Sequence, residues 1–461
     1  PMTVLWSKYI DSSDIVLVLV SAVGVIVCLL PGLAVYYGAR GGTRSQASLL
    51  QRWVEVPIVL SLAWGLWIYS LAFAPSWGTL PEMTETAPVF ENLNEMAAAA
   101  HSPEATEALV PFSKVGTGGV IGGTEFVGLN ALLPLGDDRE PNFPIHRPAY
   151  EIPHAVLMVF QMSLFLAAAV PLALALGRRM PWGMVLLTAV LWGTFVYAPL
   201  VHAIWGSGWL QVLGAIDSAG GMLQIAVGCS GLACACSALP IRNHDEDIEA
   251  GSTMSALASS LGLPLLWGGM LLAQLGCAYT AGPLVTTYLL NGCMAASAGG
   301  VSWMIMSYVL KSPALKEHPG AGVIAGLASI AGGCGYVAVT SALIIGMTGG
   351  VVTATVFALV NQRSSSDNAR HIFLLHGLPG ALGMLLTGVF LKSMTLGAGA
   401  SARVVHGLIA GDSRQLGWQA LALAFGVVWS FAATWTLLHV VKLGLRVAGR
   451  EARNTAVVVA D

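Results

Sequence analysis

Apolar runs of about twenty residues recur along the whole chain, separated by short polar segments. A bilayer core of about 30 Å takes about 20 apolar residues per helix. Eleven such runs predict membrane helices, over roughly 15–38, 53–75, 152–177, 182–203, 217–239, 253–277, 284–310, 320–337, 338–360, 370–393 and 417–441. Near 337 the boundary is weakest, because Gly332, Gly333, Gly335 and Tyr336 predict one tight turn between two spans. Lys and Arg set the orientation. With the amino end outside, 14 of the 21 basic residues fall on the inner side. The pattern therefore predicts an all-α integral membrane protein with eleven transmembrane helices, amino end out and carboxyl end in. Eleven spans read as a five-plus-five inverted repeat plus a final helix. Halves of five spans must face opposite ways, with a site near the midplane where they meet. This rests on position, since no internal sequence repeat is visible.

Composition narrows the class. Of 461 residues 56% are hydrophobic and 10% charged, against about 25% charged in soluble domains. The net charge of -3 and the lack of a basic cluster argue against nucleic acid. No nucleophile–base pair or metal constellation is visible, so neither an enzyme nor a cofactor is expected. The seven cysteines lie in or at the ends of apolar runs, and their odd number argues against a disulfide framework. Cys234 and Cys236 have no His or acid beside them, so a metal site is not expected there. The amino-terminal PMTVLWSKYIDSSD has neither the basic stretch nor the cleavage site of a secretory leader. The 54 glycines predict closely packed helices.

The reading is a membrane domain over 1–445 and a short cytoplasmic tail over 446–461, or a linker to a further domain. Two acidic loops stand out. Residues 76–151 form an outer segment with eleven acids against three basic residues. It reads as a solvated cap, with a cation-concentrating vestibule as the alternative. The inner loop 240–252 reads as a solvated turn, with a docking site for a cytoplasmic partner as the alternative. The expected location is the cell (inner) membrane, multi-pass.

The stretch Val201–Leu232 carries the polar chemistry. It holds Trp205 among small residues, Asp217 at the head of an apolar run, the pair Gly220-Gly221, and Gln224 deep in the run. An acid in a membrane helix costs about 2.5–3.5 kcal/mol at the helix centre and is a functional candidate by default. Asp217 is expected to cap the following helix through its free amides. The second half ends with HIFLLHGLPG, and opposed halves would set its His376 facing Gln224.

These residues resemble the ammonium transporter family (Amt/Mep/Rh). The likeness covers LPGLAVYYGAR at Leu30–Arg40, YSLAF from Tyr69, VHAIWGSG from Val201, GAIDSAGG from Gly214, CGY from Cys334, ALIIG from Ala342, and FLLHG from Phe373. It implies a homotrimer in which each subunit has its own pore, an outer ammonium-recruitment site, and an apolar lumen crossed by two histidines. By resemblance Trp205 is the recruitment aromatic, whose face attracts NH4+ by about 0.5–2 kcal/mol. Phe160 is an aromatic of the outer pocket, Asp217 the structural acid, and His376 the second pore histidine. The first pore histidine falls at Gln224, whose amide can hydrogen-bond but cannot titrate. The two stacked gate phenylalanines fall at Leu164 and near Cys277. Tyr279 and Thr280 are the local polar candidates at the recruitment site. These three departures lie on one pathway. The expectation is an ammonium-binding sensor with reduced or absent conduction, coupled to a cytoplasmic signalling domain or partner, with a conducting ammonium transporter as the alternative. Its ligand is the ammonium ion and its solvent the lipid bilayer.

Overall fold

The computed structural model describes residues 11–38, 51–76, 118–130, 132, 152–237, 239, 258–316, 318, 320–360, 367–396 and 403–460. Eight described helices are long and apolar enough to cross a membrane. They are α1 (Ser12–Gly38), α2 (Glu55–Phe73), α3 (His154–Gly177), α4 (Trp182–Leu213), α7 (Leu284–Val309), α9 (Val339–Val360), α10 (Asn368–Phe390) and α11, apolar over Ser413–Gly444. Three shorter apolar helices complete the set, α5 (Gly221–Cys236), α6 (Ser260–Gly276) and α8 (Ala321–Gly333). Each predicted apolar run contains one of these helices. Boundaries differ, α4 for one running on to Leu213 rather than 203, and two of the differences are informative. α5 starts at Gly221 rather than 217, because Asp217 to Gly220 form a loop. α11 continues without a break to Ala460, through the stretch read from sequence as a tail. The inner acidic segment 240–252 and most of 76–151 lie outside the described residues.

α7 packs most extensively on α9 and α8, and α5 packs on α11 and α10. Glycine sets the closest approach. A Cβ at Gly228 of α5 would collide with the Gly377 backbone of α10, and one at Gly380 would meet the Gln224 side chain. Missing side chains thus bring Gln224 and His376 onto facing backbones. Four helices also contain a wide turn in which an N–H bonds five residues back: Leu30 to Val25, Tyr69 to Trp64, Ala198 to Gly193 and Leu378 to Phe373. Such π-turns re-aim the side chains they carry, and the one at Phe373–Gly377 carries His376. On α1, Val16, Val20, Val23 and Val27 are exposed. Their three-to-four-residue spacing makes one apolar stripe, suited to hydrocarbon.

Two polar ties close the ends of the bundle. Arg179, just past α3, holds Asp367 at 2.8 and 3.2 Å through both guanidinium nitrogens, with side chains 4% and 9% exposed. Asp367 also caps α10 by accepting from the Ala369 amide. At the opposite end, residues 118–130 form a short plug on α2 and α4. The Gly119 amide donates to Ser76, which bonds His202 Nε2, while His202 Nδ1 reaches the Ala72 carbonyl. Ser70 donates to the Gly123 carbonyl and accepts from the Phe126 amide. This part of the predicted outer cap is therefore packed on the helices.

Candidate functional site

The break between α4 and α5 is the best-anchored irregular segment described. Backbone groups at membrane depth must find partners inside the protein, and here they do. Gln419 of α11 donates to the Ile216 carbonyl and accepts from the Ile216 amide, both at 2.7 Å. Gln415 donates to the Gly214 carbonyl. The Ser218 and Ala219 amides donate to the Gly332 and Ala331 carbonyls. Asp217 then turns the chain into α5. One carboxylate oxygen accepts from the Gly220 and Gly221 amides at 2.9 and 2.7 Å, and the other from Met222 at 2.8 Å. Its carboxylate is spent on the first turn of α5, where free amides need an acceptor. Gly220 takes a positive φ of 97° in this turn, a conformation that suits glycine.

Trp205 ends the long part of α4 and is half-buried. Its indole N–H donates to the Asp217 carbonyl at 2.8 Å, so ring and turn hold each other. Below this turn lies a cavity of about 60 Å³, room for a short file of water-sized molecules. Its walls are aliphatic apart from Gln224, Gln274 and His376. Leu164 is on the wall and Cys277 is not: Cys277 is buried just beyond α6, and Gln274, one turn earlier, takes the lumenal place. Gln274 donates to the Leu327 carbonyl.

His376 bonds two partners. Nδ1 lies 2.6 Å from Gln224 Oε1, and Nε2 lies 2.8 Å from the Tyr37 hydroxyl. An amide oxygen only accepts, so Nδ1–H donates to Gln224, and a neutral ring then accepts the Tyr37 O–H at Nε2. Both ring nitrogens are committed, in the arrangement of a neutral imidazole. Tyr37 continues the chain of contacts, because its carbonyl accepts from Asn368 Nδ2 at 2.8 Å, beside the Asp367–Arg179 pair. Sequence reading included Tyr37 only as part of a motif. Its partner lies 339 positions away, beyond any local spacing signal.

The remaining predicted positions gather at the amino end of α3 and the carboxyl end of α6. Phe160 is fully buried and meets the Tyr279 ring edge-on at 5.7 Å. Tyr279 has a positive φ of 54°, uncommon for a bulky residue. Its hydroxyl accepts from Gln161 Nε2 at 2.6 Å. Thr280 is half-buried beside it. Asp14 at the start of α1 holds this turn by accepting from the Ala281 amide at 2.6 Å. Gln161 and Asp14 were not singled out from sequence. Among the described residues no group of three or more His, Cys, Asp or Glu side chains could hold a metal.

The profile of the Ammonium Transporter Family matches residues 140–455. The chain belongs to the ammonium transporter family. It is 28% identical over 423 residues to a Bacillus subtilis ammonium transporter, covering 91% of this chain and 90% of that one. To the ammonium transporter Amt1 of Archaeoglobus fulgidus it is 31% identical over 306 residues, covering 64% and 74%. Among solved structures, Mep2 of Saccharomyces cerevisiae superposes with a TM-score of 0.72 at 22% identity, covering 94% of this chain and 86% of that one. A protein described as a sensor Amt protein superposes at 0.69 and 20% identity, covering 93% of each. These two likenesses are of fold. As a member of this family the chain is a multi-pass membrane protein of the transporter and channel class.

Proposed function

We propose that this chain takes NH4+ at an outer mouth beside Trp205 and passes its nitrogen inward as uncharged ammonia through the Gln224–His376 cavity. The observation that carries this reading is the cavity wall, aliphatic except for two amides and one imidazole whose nitrogens are both committed. A bare cation in such surroundings costs far more than a neutral amine of the same size. The proton is therefore passed to water before the nitrogen enters this cavity. Gln224 cannot accept and return it, so the pair carries no proton inward. At the mouth, Trp205 supplies an aromatic face, Phe160, Tyr279 and Thr280 form the opposite wall, and Asp217 supports the turn between them. Leu164 and the region of Cys277 then narrow the path to the lumen.

The eight long and three short apolar helices support eleven spans, arranged as five plus five plus one, amino end out and carboxyl end in. The basic residues at the inner ends support that orientation and a cell (inner) membrane. The membrane domain is taken as 1–445, with the stretch from 446 leading into the cytoplasm. Exposed aliphatic faces such as that of α1 are suited to lipid and to a homotrimer.

A second reading is an ammonium sensor with reduced conduction. Fully buried Phe160 between mouth and cavity and the non-titrating Gln224 favour it. Such a receptor would act on a cytoplasmic signalling domain or partner. Expression in cells lacking their own ammonium transporters separates the two. Growth on limiting ammonium supports transport. Failure to grow, with ammonium binding retained by the purified protein, moves the account to the sensor.

A further inference from the structure

Gln161 is 1% exposed, and its Oε1 has no hydrogen-bond partner among the described residues. A buried carbonyl oxygen without a donor is a standing cost and calls for an explanation. The amide is not loosely placed. Its Nε2 donates to the Tyr279 hydroxyl at 2.6 Å, which turns Oε1 away from that ring. Its register on α3 is informative. Leu164, Ala168 and Pro171 line the cavity, and positions three, seven and ten residues earlier on a helix share a face. Gln161 stands on that lumenal stripe, about 4.5 Å above Leu164 along the axis, on the side of Phe160 and Tyr279. A second unpartnered oxygen lies nearby. Ser21 Oγ of α1 is buried with no partner, and a Cβ at Gly276 would press on both Ser21 and the Phe160 ring. Ser21 and the Phe160 ring, next to Gln161 in sequence, thus meet at Gly276.

We propose that Gln161 Oε1 is a specificity-determining acceptor for ammonium at the closed step between outer mouth and lumen, with Ser21 Oγ of the neighbouring α1 as a second acceptor. This rests on the functional reading above and adds a residue to it. The ion is shed of water as it passes Phe160, and its N–H groups need acceptors there. An amide oxygen and a hydroxyl supply them without charge, so the ion is held but not trapped. A potassium ion has no N–H to give and gains nothing from that directionality. The Tyr279 hydroxyl keeps the amide oriented, and Asp14 keeps the Tyr279 turn in place.

The test is thermal unfolding of the purified full chain in detergent, titrated with ammonium chloride and, at matched ionic strength, potassium chloride. A ligand that binds the folded state raises the unfolding temperature with concentration. Native protein is expected to show an ammonium-specific rise. Gln161→Met keeps the volume and loses the acceptor, and should need at least about fivefold more ammonium for the same rise. Gln161→Glu keeps an acceptor and should retain the response. If Gln161→Met titrates within about twofold of native, the amide oxygen is no ligand and the proposal falls. Where Gln161→Met does not fold, Ser21→Ala decides: a shift of about twofold or more supports the subsite, and an unchanged titration removes it. A native chain with no ammonium-specific rise would instead remove the functional reading on which the proposal rests.

Discussion

Replacing Asp217 by alanine tests the claim that the mouth is built on one carboxylate. Three amides, Gly220, Gly221 and Met222, donate to it at 2.7–2.9 Å. Removing the acceptor leaves three donors at the buried start of α5. Each unsatisfied buried group costs about 1–3 kcal/mol, so the sum is about 3–9 kcal/mol. Relaxation and an entering water bring the expected loss toward the lower end, about 3–5 kcal/mol. Asp217→Asn separates the contributions. Its one remaining oxygen can serve Gly220 and Gly221, while its NH2 faces the Met222 amide, so its loss should be about half that of alanine. The assay is reversible unfolding in mixed detergent micelles, with the ammonium titration run alongside. The backbone carbonyl that accepts from Trp205 remains in the alanine variant, so ammonium binding should weaken only as far as the turn shifts. A loss below about 1 kcal/mol for Asp217→Ala would refute the reasoning, since it would mean that the three amides find other partners at no cost.

Other perturbations follow from the same contacts. Trp205→Leu removes an aromatic face worth about 0.5–2 kcal/mol, so ammonium binding should weaken by about 2–30-fold in the same titration. Gly228→Val forces α5 off Gly377 and should part Gln224 from His376, abolishing ammonia passage in liposomes while the protein still inserts and folds. Arg179→Met strands Asp367 in a buried site and should cost about 3–5 kcal/mol, measured by the same unfolding assay.

The helices were legible because a membrane span is a local signal, one apolar run of fixed length. α5 shows the limit of that signal: Asp217 to Gly220 read as the start of a span, yet the carboxylate is used to turn the chain before the helix begins. The motif around Trp205, Asp217 and His376 was legible from family likeness, and it led to the segment that the structure anchors most heavily. What escaped sequence reading depends on long-range pairing. Tyr37 reaches His376, Arg179 reaches Asp367, and Gln419 brackets Ile216, each across at least 188 positions. Nothing in the spacing of a lone Tyr or Gln on an apolar helix names its partner. The likeness put the second gate position near Cys277; the cavity wall itself carries Gln274, one turn earlier. The plug at 118–130 was hidden in a long acidic loop, where composition points to solvent.

The most direct measurement is ammonium flux paired with current, in liposomes holding the native chain and Gln224→His. Ammonia that arrives without its proton alkalinises the vesicle interior. The account predicts that the native chain alkalinises faster than protein-free vesicles and sustains no current, because the Gln224–His376 pair carries no proton. Gln224→His should then gain current. Sustained ammonium-driven current in the native chain would contradict the account, and so would a rate of alkalinisation no greater than that of protein-free vesicles.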